Sequence, residues 1–390
     1  MRRVAGVVLL GAVLASGAAR PAGGESASET PRATMQRVFD ALATLLPASL
    51  DPERFGDPGQ RDAIQLAFKA LASATQDLAR HGERRDLGFA ALSRTLEQDA
   101  DLAADRFARG RVEEAAFHVQ QLTQRCVGCH SRLPSAREFP VADRLLGRVE
   151  LRELAPEDRA RLYVATRRFD GALGAWEAMF VDPAVPPVAL EQGGQLVDYL
   201  TVAIRVAGAL ERAERALRTL AARADAPRYL RTRVTRWADA LLELRAPAPA
   251  RPALSRLERG AALAARAQSL TDFPTAHDGL VYDLYASALL HQEVEERAAA
   301  PGAAGDAELS RAFWLLGAIE DRTVYSYWLP QTEAYMEAAL RAAPRGPFAR
   351  RAFERIEEIL LVDYGALRLE DLPEAARTRL ADLARLMEAP

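Results

Sequence analysis

The chain has only two cysteines among its 390 residues, and they stand three positions apart: Cys126, Val127, Gly128, Cys129 and His130 read CVGCH. That spacing constrains the local fold. Residues i and i+3 share a face of an α-helix, so one helical turn presents both thiols side by side and carries the imidazole just beyond them. With no further cysteine a disulfide framework cannot staple the chain, which has to close its own hydrophobic cores. A redox dithiol of the thioredoxin kind stands after a strand in a βαβ unit, whereas the residues before Cys126 have helical periodicity. A structural zinc site takes four Cys or His ligands, and no second ligand pair is present. C-x-x-C-H is the pattern of covalent c-type haem attachment. The two thiols would bind the vinyl groups of one porphyrin as thioethers, and His130 would reach the iron as proximal ligand. One motif implies one haem c.

The amino terminus agrees with that chemistry. Met1 to about Ala19 has the three parts of a secretory signal: Arg2 and Arg3, an apolar run from Val4 to Leu14, and small residues offering cleavage near Gly17 or Ala19. The run is short for a membrane span, and no cysteine follows it for lipid attachment. Residues 1–19 are expected to direct export to the periplasm, or, left uncleaved, to anchor the chain to the inner membrane. Export and CVGCH support each other, because covalent haem attachment in bacteria takes place outside the cytoplasmic membrane. The net charge of -3, with no strongly basic segment to release counterions, argues against nucleic acid and DNA as partners. Lys69 is the only lysine, so any basic docking surface is made of arginine. No Gly-rich phosphate loop and no carboxylate cluster with catalytic spacing is present, and enzyme activity is not expected.

From about Pro31 the apolar spacing is helical. Met35, Val38, Phe39, Leu42 and Leu46 mark a first helix, ended by a loop rich in breakers (Pro47, Pro52, Gly56, Pro58, Gly59). Ile64, Phe68, Leu71, Thr75 and Leu78 mark a second; Leu92, Leu96 and Phe107 a third; Val112, Ala115, Val119, Leu122 and Cys126 a fourth that ends at His130. Four helices with short connections predict an antiparallel up-down-up-down bundle over residues 31–146. Such a bundle closes its core without help and is expected to fold and hold the haem alone. Its topology puts the start of helix 1, the connection of helices 2 and 3 and the end of helix 4 at one end. Met35 is therefore the leading candidate for a sixth iron ligand, His81 is the alternative, and an open sixth position is the third case. His118 lies roughly 18 Å back along the helix, at about 1.5 Å per residue, and points to the far end. Arg80, Arg84 and Arg85 cluster in the same connection, placed to pair with haem propionates through charge-assisted bonds.

Four helices with C-x-x-C-H near the end of the last resemble the class II c-type cytochromes, the cytochrome c′ group, over about 115 residues. The resemblance implies a haem-binding bundle and electron transfer or gas binding. Low-spin members have a methionine near the start of helix 1 as sixth ligand, where Met35 stands here, whereas cytochrome c′ itself leaves that side open. The group often has an aromatic residue and then a base three and four positions after the haem histidine. This chain has Leu133 and Pro134 there, with Arg132 or Arg137 as the available replacement for the base.

Pro134, Pro140 and Pro156 punctuate the crossing into a second region. From Glu157 onward helical patterns follow one another without strand-like alternation, so the chain is read as all-α, with an α-helical repeat region over 156–390. Three stretches resemble the second half of a tetratricopeptide repeat: Ala172, Trp176, Met179 and Pro183; Ala213, Leu217, Leu220 and Pro227; Thr332, Met336, Ala339 and Pro344. The run APAPARP at 246–252 offers a division of the region. His277 and His291 are not expected to be ligands. The leading function is a periplasmic monohaem c-type cytochrome in electron transfer, its repeats docking a redox partner protein, and a homodimer is compatible with it. A haem-based sensor of NO or CO and a scaffold with structural haem are the alternatives.

Overall fold

The computed structural model describes residues 30–82, 87–131, 142–246, 254–270, 277–298, 306–323 and 331–388. Every regular element among them is helical, so the protein is all-α. Helices α1 (Pro31–Ser49), α2 (Arg61–Gly82), α3 (Leu87–Ala108) and α4 (Val112–His130) pack in a closed ring, α1 on α2, α2 on α3, α3 on α4 and α4 back on α1. Contacts give the directions: Arg37 near the start of α1 pairs with Asp77 near the end of α2, and Leu92 in the first half of α3 lies against Gly128 near the end of α4. Successive helices therefore run antiparallel. Gly110 makes the tight turn from α3 to α4 with a left-handed backbone, φ 77°. Val38, Leu42, Leu45, Ile64, Phe68, Leu71, Leu96, Phe107, Val119 and Leu122 fill the centre.

Two details of the ring depart from the sequence expectation. Pro47 does not end α1; it lies inside the last turn, and the helix runs on to Ser49. A proline there lacks the N–H that would bond the carbonyl of Ala43, and Arg148 Nη1 donates to that carbonyl instead, at 3.4 Å. The breaker-rich loop also holds a short helix, Pro52–Gly56, because the Asp51 side chain caps the amides of Glu53 and Arg54. It drives Phe55 fully into the core, edge-on to Phe107 with ring centroids 5.2 Å apart.

The second region begins with a short helix, Ala142–Leu146, lying on α1. Helical pairs follow: α5 (Pro156–Ala165) with α6 (Phe169–Val181); then, after α7 (Gln195–Thr201) and its π-helical continuation Val202–Val206, α8 (Leu210–Ala221) with α9 (Arg228–Arg245). Next come α10 (Arg256–Ser269) with α11 (Leu280–Ala298), α12 (Ala307–Arg322) with α13 (Thr332–Ala342), and finally α14 (Ala349–Asp363) and α15 (Glu374–Glu388). The three repeat-like stretches supply buried residues of α6, α8 and α13. They are not equivalent, however: α8 is the first helix of its pair, whereas α6 and α13 are the second. The division offered by the proline run is bridged, since Leu280, Val281, Tyr282 and Leu284 of α11 share one core with α5 to α9. Helix α13 packs back against α3, so the second region touches the ring both near its start and again at α13.

Candidate haem site

Four helix ends meet where CVGCH lies. Arg37 holds the first turns of α1 to the last turns of α2 through Asp77. His81 at the end of α2 sits edge-on to Phe89 at the start of α3, centroids 6.3 Å apart. Leu92 of α3 comes within 3.6 Å of the place a Cβ would take on Gly128. The motif itself is the last turn of α4, closed by the Ser131 amide on the carbonyls of Val127 and Cys129. One turn thus carries both thiols and the imidazole, as the spacing predicts.

Their environments differ. Cys126 is buried, its Sγ donating to the Leu122 carbonyl at 3.3 Å, and burial pushes its thiol up to about 12, helped by the neighbouring Cys129. Cys129 is half-buried. Burial brings His130 down to about 4, and the positive charge of Arg167 adds to that, while the carbonyls of Ala165 and Val164 oppose it. The imidazole is therefore neutral at pH 7, the form that binds a metal. His130 Nδ1 is buried without a hydrogen-bond partner among the described residues; an orphaned polar atom of this kind costs about 1–3 kcal/mol. Two thiols on one turn beside a neutral imidazole with an unused ring nitrogen form a donor set that fits a haem c.

The groups that bear on His130 come from outside the ring. Cys126 and Val127 belong to the buried cluster of Ala160, Val164, Ala165 and Phe169, and α4 packs on α5. The last turn of α4 is thus covered on its outer face by α5 of the second region, not by the ring alone. Helix α5 ends in a Schellman turn: the Arg168 amide bonds the Tyr163 carbonyl at 2.7 Å and the Arg167 amide bonds Val164 at 2.9 Å. Arg167 takes the left-handed position of that turn, φ 60°.

Met35 is half-buried and packs on the core of the ring, two residues before Arg37 and so at the correct end. His81 shares that end. Neither is among the groups acting on His130, which belong to α5 and its cap. Arg80 pairs with Asp77, whereas Arg84 and Arg85 lie outside the described residues, as do Arg132, Leu133, Pro134 and Arg137. His118 sits edge-on to Phe117, about three turns before His130. Sequence reasoning missed Val164, Ala165 and Arg167. The only signal for them was the pair Arg167-Arg168 between two helical patterns, at a place where a helix usually ends on glycine.

Among the described residues no group of three or more His, Cys, Asp or Glu side chains converges as a metal site, and no helix is long and apolar enough to cross a membrane. Compared with protein-family models, curated proteins and solved structures, the chain matches none of them.

Proposed function

We propose that the protein is an exported monohaem c-type cytochrome of the periplasm or the outer face of the inner membrane. In this reading α1 to α4 form a haem-binding four-helix bundle of the class II kind, and the second region is a tetratricopeptide-like helical array that docks a redox partner protein. The observation that carries the reading is the coincidence of CVGCH with the last turn of α4, where Cys126, Cys129 and a neutral, partly orphaned His130 share one turn. Haem c, when bound, supplies one-electron exchange at its iron. Cys126 and Cys129 would hold it through thioethers, and His130 would ligate the iron. Met35 and His81 are the candidates for the sixth position, because they stand at the same end of the ring, and Arg84 and Arg85 remain the candidates for the propionates. The carbonyls of Val164 and Ala165 orient the imidazole, since a ligating histidine is fixed by what its other nitrogen meets. The covering of α4 by α5 keeps bulk water from that side.

A second reading, a haem-based gas sensor, gains support from the same packing: a shift of His130 would press directly on α5 and so on the helical array. One experiment tests both. The full chain, exported with haem-maturation factors, is run on a denaturing gel stained for haem peroxidase activity, and its reduced visible spectrum is recorded with and without CO. A haem band that disappears in Cys126→Ala with Cys129→Ala, and a spectrum that CO leaves unchanged, are expected for the electron-transfer protein. A band with ready CO uptake favours the sensor, and no band removes both readings.

A further inference from the structure

We infer that the docking surface of the second region lies where α12 meets the start of α14, built from Trp314, Phe348, Arg350 and Arg351, and that its partner presents an acidic protein surface. The inference rests on the reading of the second region as the part that docks a partner. Its first support is charge. Arg341 to Phe353 hold four arginines and no acidic residue. Arg341 is met by Glu337, and beyond the stretch Arg355 is met by Asp321 and Glu358. Between them Arg350 and Arg351 are exposed, and neither makes an ion pair with a described residue. Glu357, two turns on, acts on Arg350 through space, while the Arg351 guanidinium lies over Trp314, 5.9 Å from the ring centroid. No acidic residue stands in the first turn of α14, although the positive end of a helix favours one. Local helix stability therefore does not account for two adjacent arginines there. The second support is aromatic. Phe348, the cap of α14, lies against Trp314 of α12 with ring centroids 5.2 Å apart. Both rings are half-buried, so each keeps part of its surface outward beside the arginines. Aromatic and arginine side chains are the ones enriched at protein interfaces and among their energetic anchors.

The charge sets the partner, since arginine forks match carboxylates in bidentate pairs. A lipid surface fits less well because neither Trp314 nor Phe348 protrudes. The large apolar side chains that do, Val362, Tyr364 and Leu367, stand at and just past the far end of α14. The start of α9 makes a useful contrast. It too carries arginines outside ion pairs with described residues, Arg228 and Arg231, but its exposed ring, Tyr229, donates its hydroxyl to Glu191 at 2.7 Å, so a carboxylate already occupies that surface. Helix α14 packs on α13, which itself packs on α3 of the ring. A partner seated at Trp314 and Arg351 is therefore tied to the haem-binding part through one helix.

The test is fluorescence anisotropy of a dye-labelled peptide, eight glutamates around one central leucine, titrated with the full-length protein. Saturable binding that weakens as salt rises is expected. Arg350→Gln with Arg351→Gln should weaken it about tenfold and Trp314→Ala about fivefold, whereas Arg228→Gln with Arg231→Gln, the same loss of charge at α9, should change it less than about twofold. Far-UV circular dichroism checks that each variant is folded, and if Trp314→Ala is not, the two arginine pairs decide the matter. Equal losses in both pairs would mean general attraction between opposite charges, and no binding by the wild type would mean no such surface; either result overturns the inference. So does capture of phosphatidylglycerol vesicles in place of the peptide. The covalent haem band of the wild type is scored separately, so the cytochrome reading stands or falls on its own result.

Discussion

Inside the ring of α1 to α4 the buried hydroxyls bond their own helices: Ser49 Oγ donates to the Leu46 carbonyl at 2.8 Å, Thr75 Oγ1 to Leu71 at 3.0 Å and Ser93 Oγ to Ala90 at 3.1 Å. The second region has such hydroxyls too, at Thr201 and Ser287 for example, but it also buries charges and bonds them across helices. Arg205, on the π-helical turn after α7, donates to Ser287 Oγ of α11 at 2.6 Å and to Glu320 of α12 at 2.9 Å. His291 of α11 lies 2.7 Å from the Ser287 carbonyl and 2.8 Å from the hydroxyl of Tyr335 on α13. A carbonyl only accepts, so Nδ1 carries the proton there and Nε2 accepts from the tyrosine. Arg322 closes on Asp283 of α11. The difference concerns what fixes helix against helix. The ring centre relies on apolar shape, which tolerates small slides, whereas the second region adds directional bonds that specify one register. The haem motif lies at the seam, on the last turn of the shape-packed part, with a polar-braced frame against its outer face.

Removing one partner of the buried pair is the strongest way to break this comparison. The Arg205 and Glu320 side chains are 5% and 9% exposed, so water cannot replace the lost carboxylate. Glu320→Ala is expected to cost about 3–5 kcal/mol, the usual penalty for an uncompensated buried charge. Arg205→Met combined with Glu320→Leu should lose much less, because neither partner is then left alone. Denaturant unfolding of the haem-free chain measures both. A loss below about 1 kcal/mol for Glu320→Ala would mean that the network does not brace the second region.

The same contrast explains what was legible in the sequence. Helices α1 to α4 were, because Val38, Leu42, Ile64, Leu71, Val119 and Leu122 follow a strict helical period and are all buried. So was the motif as the last turn of α4. Pro47 misled, since the carbonyl it orphans is taken by Arg148, a residue 101 positions away that no local rule reaches. The repeat-like stretches of α6, α8 and α13 gave the correct buried positions but not equivalent places, because periodicity reports a face and not its partner. For the same reason nothing in the sequence tied α5 to His130. The pairing of Arg205 with Glu320 was invisible too, as a charged residue in a helical pattern reads as a solvated face.

A smaller effect probes the seam itself. In the haem-free protein burial holds His130 at about 4, against an ordinary value of 6.5. Between those values the unfolded chain binds a proton that the folded chain excludes. The stability present above about pH 6.5 is therefore lost as the pH falls toward 4. Because the residue is only partly enclosed, the loss is expected on the order of 2 kcal/mol. His277, also lowered by burial, adds a slope of the same sign, so the quantity to measure is the difference between wild type and His130→Gln across that window. A difference that does not change with pH would mean that the imidazole is solvated and α5 does not cover it. With haem attached the difference should vanish from the wild-type profile, since the iron takes the place of the proton.

The smallest effect belongs to the ring. Thr75 is fully buried, yet its hydroxyl bonds only the Leu71 and Ala72 carbonyls of its own helix, at 3.0 and 3.1 Å. The Leu71 carbonyl also accepts the helical amide of residue 75, so deleting the hydroxyl leaves no buried group without a partner. Thr75→Val keeps the branched shape and replaces a polar atom by a methyl on the buried face of α2. The expected change is within about 1 kcal/mol, the net worth of one such bond offset by the added apolar contact. Unfolding midpoints of the two proteins at one pH decide it. A loss of about 2 kcal/mol or more would show that the hydroxyl ties α2 to a neighbouring helix. The ring would then be braced by polar bonds like the second region, and the contrast between the two would be one of degree.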